Sequence, residues 1–258
     1  MGKKIFITYL LLLLILSSYG QEKKFFAIGI RTGYSKFAFN DELLTPFIYS
    51  KGFIPFEIIL TEENSKKIEL LEFSIAKLQM RPFKTHLNYI NMTSIYINNI
   101  NSRKKWALVN NKFIFIPGFG YTINYYSRQQ LFPTNAYSGI DKLINNKLHE
   151  FYASGNIAFT ANYIISDKNR VNISLALPLF SFILRPSYSG QTRWKINKEN
   201  FVTINNYFLT RIEFEYKQTL SKHFYAGVSV GMKFYSVKIP YSYKSLEKNI
   251  KLGLYYEF

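Results

Sequence analysis

From about residue 24 onward this chain alternates apolar and polar residues, segment after segment, with a period of two. Such alternation puts successive side chains on opposite faces of an extended strand. The segment 249–258 is the plainest. Ile250, Leu252, Leu254, Tyr256 and Phe258 share one face, and Lys251, Gly253, Tyr255 and Glu257 share the other. About ten segments follow the same rule: 24–34, 53–60, 67–78, 87–99, 112–126, 150–165, 171–184, 201–216, 224–238 and 249–258.

The first residues read differently. Lys3 and Lys4 precede an apolar run at 5–16, and Ser17-Ser18-Tyr19-Gly20 closes it with mostly small residues. These are the parts of a secretory signal, and a run of about 12 residues is too short to span a bilayer as a helix. The chain therefore divides into a signal peptide, 1–20, and one domain, 21–258. Beyond Gly20, charges interrupt every hydrophobic stretch, which excludes transmembrane helices. The sequence has no cysteine. It can form no disulfide, no thiolate metal site and no lipidated cysteine.

An exported chain of many short strands folds as a sandwich or a barrel. In a sandwich the polar faces meet water. In a membrane barrel they line the interior and the apolar faces meet lipid. The polar faces here carry Gly, Ser, Thr, Asn and Tyr, as in Thr122 and Asn124 or Ser154 and Asn156, with a few charges of both signs. That composition suits a narrow interior. Tyr34, Tyr121, Tyr125, Tyr126, Tyr163, Tyr216, Tyr235 and Tyr256 fall near strand ends, where amphipathic rings suit the headgroup level.

Connection lengths point the same way. The stretches 62–65, 166–169 and 218–221 read as short turns, and 35–52, 127–149, 185–200 and 239–248 as long external loops. Two joints are awkward: 79–86 is short for an external loop, and 100–111 is long for a periplasmic turn. The expected fold is all-β: a transmembrane, antiparallel, up-and-down β-barrel of about ten strands (roughly 8–12), with both termini in the periplasm.

Gln21 at the cleavage site, an Asn/Ile/Lys/Tyr-rich chain and the terminal Tyr256-Glu257-Phe258 resemble small bacterial outer-membrane β-barrel proteins, those of Bacteroidetes in particular. No subfamily is marked. The resemblance implies residence in the outer membrane, contact with its lipid and lipopolysaccharide, and recognition of Tyr256 and Phe258 by the barrel-insertion machinery.

The formal charge is +17. Nucleic acid is one partner for such a charge, but in this compartment an anionic membrane surface takes its place. Arg31, Glu72, Arg211, Glu213, Glu215 and Lys233 fall on inward faces. Buried charges must be paired, so an ion-pair network plugging the barrel is expected of these six. Lys251 shares their face, and Lys251→Gln reads as a mild change.

Chemistry is sparse. Of three histidines, His86 and His149 fall near the external rim and His223 in a turn. A rim hydrolase would have Ser138, Asp141, His149 and Glu150 to work with, but their spacing matches no known motif. No cofactor or metal is expected. Gly118-Phe119-Gly120 lies within a strand, where glycine marks a bend or crowded packing. The leading function is a structural or surface-binding barrel with a plugged interior. A narrow, porin-like diffusion channel and a rim-located hydrolase are the alternatives, and no surface partner is named by the sequence.

Overall fold

The alternating segments become strands in the computed structural model. It describes residues 25–41, 45–64, 67–82, 89–102, 105–108, 112–131, 147–184, 201–203, 207–238 and 242–258. The signal segment 1–20 lies outside them. In chain order the strands are β1 (Phe25–Asp41), β2 (Thr45–Phe53), β3 (Phe56–Glu63), β4 (Ile68–Pro82), β5 (Tyr89–Ser102), β6 (Trp106–Leu108), β7 (Phe113–Leu131), β8 (Lys147–Ser166), β9 (Asn169–Leu184), β10 (Phe201–Thr203), β11 (Tyr207–Thr219), β12 (Phe224–Val237) and β13 (Tyr243–Glu257).

Antiparallel pairing runs from β1 through β3, β4, β5, β7, β8, β9, β11 and β12 to β13. The last strand then pairs with the first, from Ala27↔Glu257 to Asp41↔Tyr243. The sheet is a closed barrel of ten staves, because β2 and β3 form one stave. Ser35↔Phe53 and Thr32↔Phe56 keep the same register across the Ile54-Pro55 break. Proline has no N–H for the ladder, and Thr32 Oγ1 donates to the Pro55 carbonyl there at 3.0 Å. The short strands β6 and β10 pair with β7 and β9 on the same edges as β5 and β11, and so prolong those two staves.

A band of the outer surface is apolar. Ile30, Phe119, Phe214, Val230, Ile250, Leu252 and Leu254 are all exposed, as the parity of their strands requires. A closed sheet leaves no free edge, so every ladder hydrogen bond is made internally, as a lipid surround demands.

Several connections differ from the sequence reading. The stretch 35–52 is not a long loop, because β1 runs to Asp41 and pairs with β2. Its parity is unbroken: Ser35, Phe37 and Phe39 stay on the Arg31 face, all buried. Likewise β13 begins at Tyr243, inside the expected loop 239–248, and β7 and β8 take residues from both ends of 127–149. The long joint 100–111 contains β6. The segment 201–216 is two strands, β10 and β11, both on the edge of β9 that β8 leaves free. The end of β4 lies at Pro82, and 83–88 fall outside the described residues.

Two departures have a clear physical cause. Leu179 and Phe180 are both exposed although adjacent. The β8–β9 register shifts between Gly155 and Asn156. A bulge adds one residue and reverses the parity beyond it, so Ser181 and Ile183 point inward. Tyr126 and Tyr235 are buried inside the barrel rather than at the headgroup level. Each shares the parity of its inward neighbours, Asn124 and Lys233.

Gly120 shows why glycine sits in these strands. A methyl group there would collide with the backbone carbonyl of Asn99 on β5. Gly120→Ala should lower stability by about 1–3 kcal/mol, the usual cost of overpacking. Urea unfolding in detergent, followed by tryptophan fluorescence, checks this.

A candidate functional site in the barrel interior

Three layers fill the barrel along its axis. At the end away from the termini, every stave contributes an apolar or aromatic side chain. Phe39, Tyr49, Tyr243, Tyr235, Tyr152 and Tyr207 dominate this layer, and all are buried. Phe39 stacks on Tyr49 at 5.2 Å, and Tyr235 meets Tyr152, Tyr207 and Tyr243 edge-on at 5.0–5.3 Å. The Arg128–Glu150 ion pair is enclosed in this layer. The Arg128 guanidinium lies over the rings of Tyr243 and Phe39 at 5.1 and 5.5 Å.

The middle layer is ionic. Arg31 on β1 is its hub. Its Nε donates to Glu57 Oε2 at 3.1 Å, Nη1 to Glu213 Oε1 at 2.5 Å and Nη2 to Glu72 Oε1 at 3.2 Å. Arg211 on β11 uses Nη2 on Glu213 Oε2 at 2.8 Å and Nη1 on Glu72, and also reaches the Tyr96 hydroxyl at 3.3 Å. Lys251 Nζ donates to Glu57 Oε1 at 2.6 Å and lies 3.8 Å from Glu213 Oε2. Three cations thus face three carboxylates. The charges cancel, and both guanidinium forks are used where geometry rewards them. Room for Arg31 comes from its β13 neighbour, Gly253, where a Cβ would stand 3.0 Å from Arg31 Cγ.

Arg31, Glu72, Arg211 and Glu213 come together here. Lys233 and Glu215 do not join the centre. Lys233 stands directly opposite Arg211 across β11–β12 and opposite Glu247 across β12–β13. It lies 3.9 Å from Glu247 and 3.9 Å above the ring of Tyr96, whose hydroxyl Arg211 reaches. Glu215 lies one step nearer the termini, 3.1 Å from Lys217, and accepts from the Tyr255 hydroxyl. The sequence reading left out Glu57 and treated Lys251 as tolerant. Both are 0% exposed. Their shared parity with Arg31 was the available signal.

The third layer is an open vestibule at the terminal end. It holds cavities of about 130 and 240 Å³, with Arg170, Lys217, Tyr225 and Glu257 on its walls.

At the rim, the structure describes His149 and Glu150. His149 and Glu150 are neighbours on β8 and face opposite ways. The His149 ring is 2.6 Å from the Tyr125 hydroxyl through Nδ1 and stacks on that tyrosine, whereas Glu150 is inside with Arg128. His223 lies beside β13, its Nδ1 3.0 Å from the Glu257 carbonyl. His86, Ser138 and Asp141 lie outside the described residues. Among the described residues no group of three His, Asp or Glu has the arrangement of a metal site.

These features define an outer-membrane β-barrel fold, and comparison with solved structures agrees. The chain is similar to the outer-membrane protease OmpT from Escherichia coli, with a TM-score of 0.50 and 8% identity over 92% of this chain and 98% of that one. It also matches the translocator domain of the autotransporter NalP from Neisseria meningitidis, at TM-score 0.43 and 9% identity, covering 95% and 92% of the two chains. Neisserial surface protein A matches at TM-score 0.36 and 8% identity, over 90% and 99%. At such identities the likeness is one of fold. No family model matches the sequence, and no curated protein does.

Proposed function

We propose that this chain is an outer-membrane barrel with a structural or surface-binding role and a closed interior, not a diffusion channel. The observation that carries this reading is the pair of stacked layers across the barrel. The ionic layer joins β1, β3, β4, β11 and β13, and the aromatic layer draws on every stave. A solute would have to break buried ion pairs and then part close-packed rings. Barrels of about this strand number sit between side-chain-filled and open forms, and the large inward residues favour the filled one.

Liposome swelling tests the closed interior. Vesicles carrying the refolded protein should swell no faster in arabinose than empty vesicles. Rapid swelling would return the channel reading to first place.

Residence in the outer membrane, with both termini in the periplasm, belongs to the same proposal. The short connections 64–67, 166–169 and 220–223 share the terminal end, as periplasmic turns do in such barrels. The net charge of +17 suits contact with lipopolysaccharide. The Bacteroidetes-like composition supports that origin. Tyr256 and Phe258 face outward and meet edge-on at 4.8 Å, and Phe258 N–H donates to the Phe26 carbonyl at 2.9 Å. They are positioned to be read by insertion machinery and then to lock the seam. Deleting Phe258 should lower the heat-modifiable, membrane-recovered fraction several-fold. Equal recovery would remove Phe258 from that role.

A further inference from the structure

We infer that the vestibule at the terminal end binds a small anion, a carboxylate or a phosphate, through Arg170 and Lys217. Both residues line both cavities there. The ionic layer forms the floor, so the pocket is blind. Each cavity is below the roughly 300–1,000 Å³ of a drug-sized site, so the ligand is small.

Arg170 on β9 and Lys217 on β11 are direct cross-strand partners. Like charges placed opposite each other on neighbouring strands repel. Lys217 has a counter-ion, Glu215 at 3.1 Å, and lies over the Tyr255 ring at 4.3 Å. Arg170 has no carboxylate partner among the described residues. It lies over the Tyr225 ring at 5.2 Å, which leaves its N–H fork unused. The other acids on these walls are engaged: Glu63 with Lys105 at 2.7 Å, Glu257 with the Tyr225 hydroxyl, and Glu72 and Glu213 with Arg31 and Arg211 in the floor. An anion seated between Arg170 and Lys217 would take the fork bidentately and relieve the repulsion. This site does not depend on whether the barrel conducts, so its test is separate from the swelling assay.

The experiment is calorimetric titration of the refolded full-length barrel with acetate, inorganic phosphate and neutral acetamide. Saturable binding of acetate or phosphate, but not acetamide, is expected, and the tighter anion identifies the chemistry. Arg170→Gln should weaken that binding by roughly tenfold or more. Arg170→Lys keeps the charge but loses the fork, and should bind measurably less tightly than wild type. Heat-dependent gel mobility establishes that each variant is folded, and the lysine variant carries the test if the glutamine variant is not. Three results would overturn the site: no saturable anion binding by the wild type, acetamide binding as well as acetate, or unchanged affinity in the folded Arg170 variants.

Discussion

Arg31→Ala should be the most damaging single substitution in the barrel. It removes three hydrogen-bonded ion pairs at once and leaves Glu57, Glu72 and Glu213 facing only Arg211 and Lys251. Breaking one buried pair typically costs about 3–5 kcal/mol, because the partner is left charged and unpaired. Here one excess negative charge is shared by three carboxylates in an enclosed layer. The loss should fall at or above that range, a large fraction of the whole stability of an ordinary folded chain. Urea unfolding in detergent, scored by gel mobility without boiling, measures it. Lys36→Ala, on the exposed outer face of the same strand, should change little. Comparable effects at 31 and 36 would show that the ionic layer does not stabilise the barrel.

The second large effect separates the two faces of β13. Leu252 is exposed on the lipid side, and Lys251 beside it is buried against Glu57. Leu252→Arg should cost roughly 2–4 kcal/mol if the residue lies near mid-membrane. Lys251→Gln should also be costly, about 3–5 kcal/mol, because Glu57 loses its 2.6 Å partner. What distinguishes them is rescue. Adding Glu57→Gln to Lys251→Gln removes the orphaned charge and should recover much of the loss, while adding it to Leu252→Arg should recover nothing. A double-mutant cycle on unfolding free energy reads this directly. Absence of coupling between 57 and 251 would contradict the pairing.

Parity is what made the fold legible. A strand has only two faces, so a run such as Phe208, Thr210, Ile212, Phe214 and Tyr216 against Arg211, Glu213 and Glu215 fixes which side meets lipid. Strand ends were harder. Phe37, Phe39, Tyr49 and Tyr243 fell in stretches read as loops because turn-forming residues, Asn40-Asp41 and Ser242, interrupt the pattern nearby. They turn out to build the aromatic layer. The bulge at Leu179, opposite Gly155, was invisible, since one inserted residue leaves no local signature beyond two adjacent apolar side chains. Partner choice inside the barrel was also out of reach. Arg31 meets a carboxylate 182 residues away and Lys251 one 194 away. Alternation places such residues inside but carries no register between distant staves. That is why Lys233 was grouped with Glu213 rather than with its cross-strand neighbour Glu247.

The central claim is that the interior is closed by the ionic and aromatic layers together. Single-channel recording in planar bilayers tests it most directly. The wild-type barrel, shown to be folded by its gel mobility, should give no stable conductance steps at moderate voltage. Large, long-lived steps in the wild type, with an ion selectivity that shifts in Glu213→Gln, would contradict the claim and define an open pore.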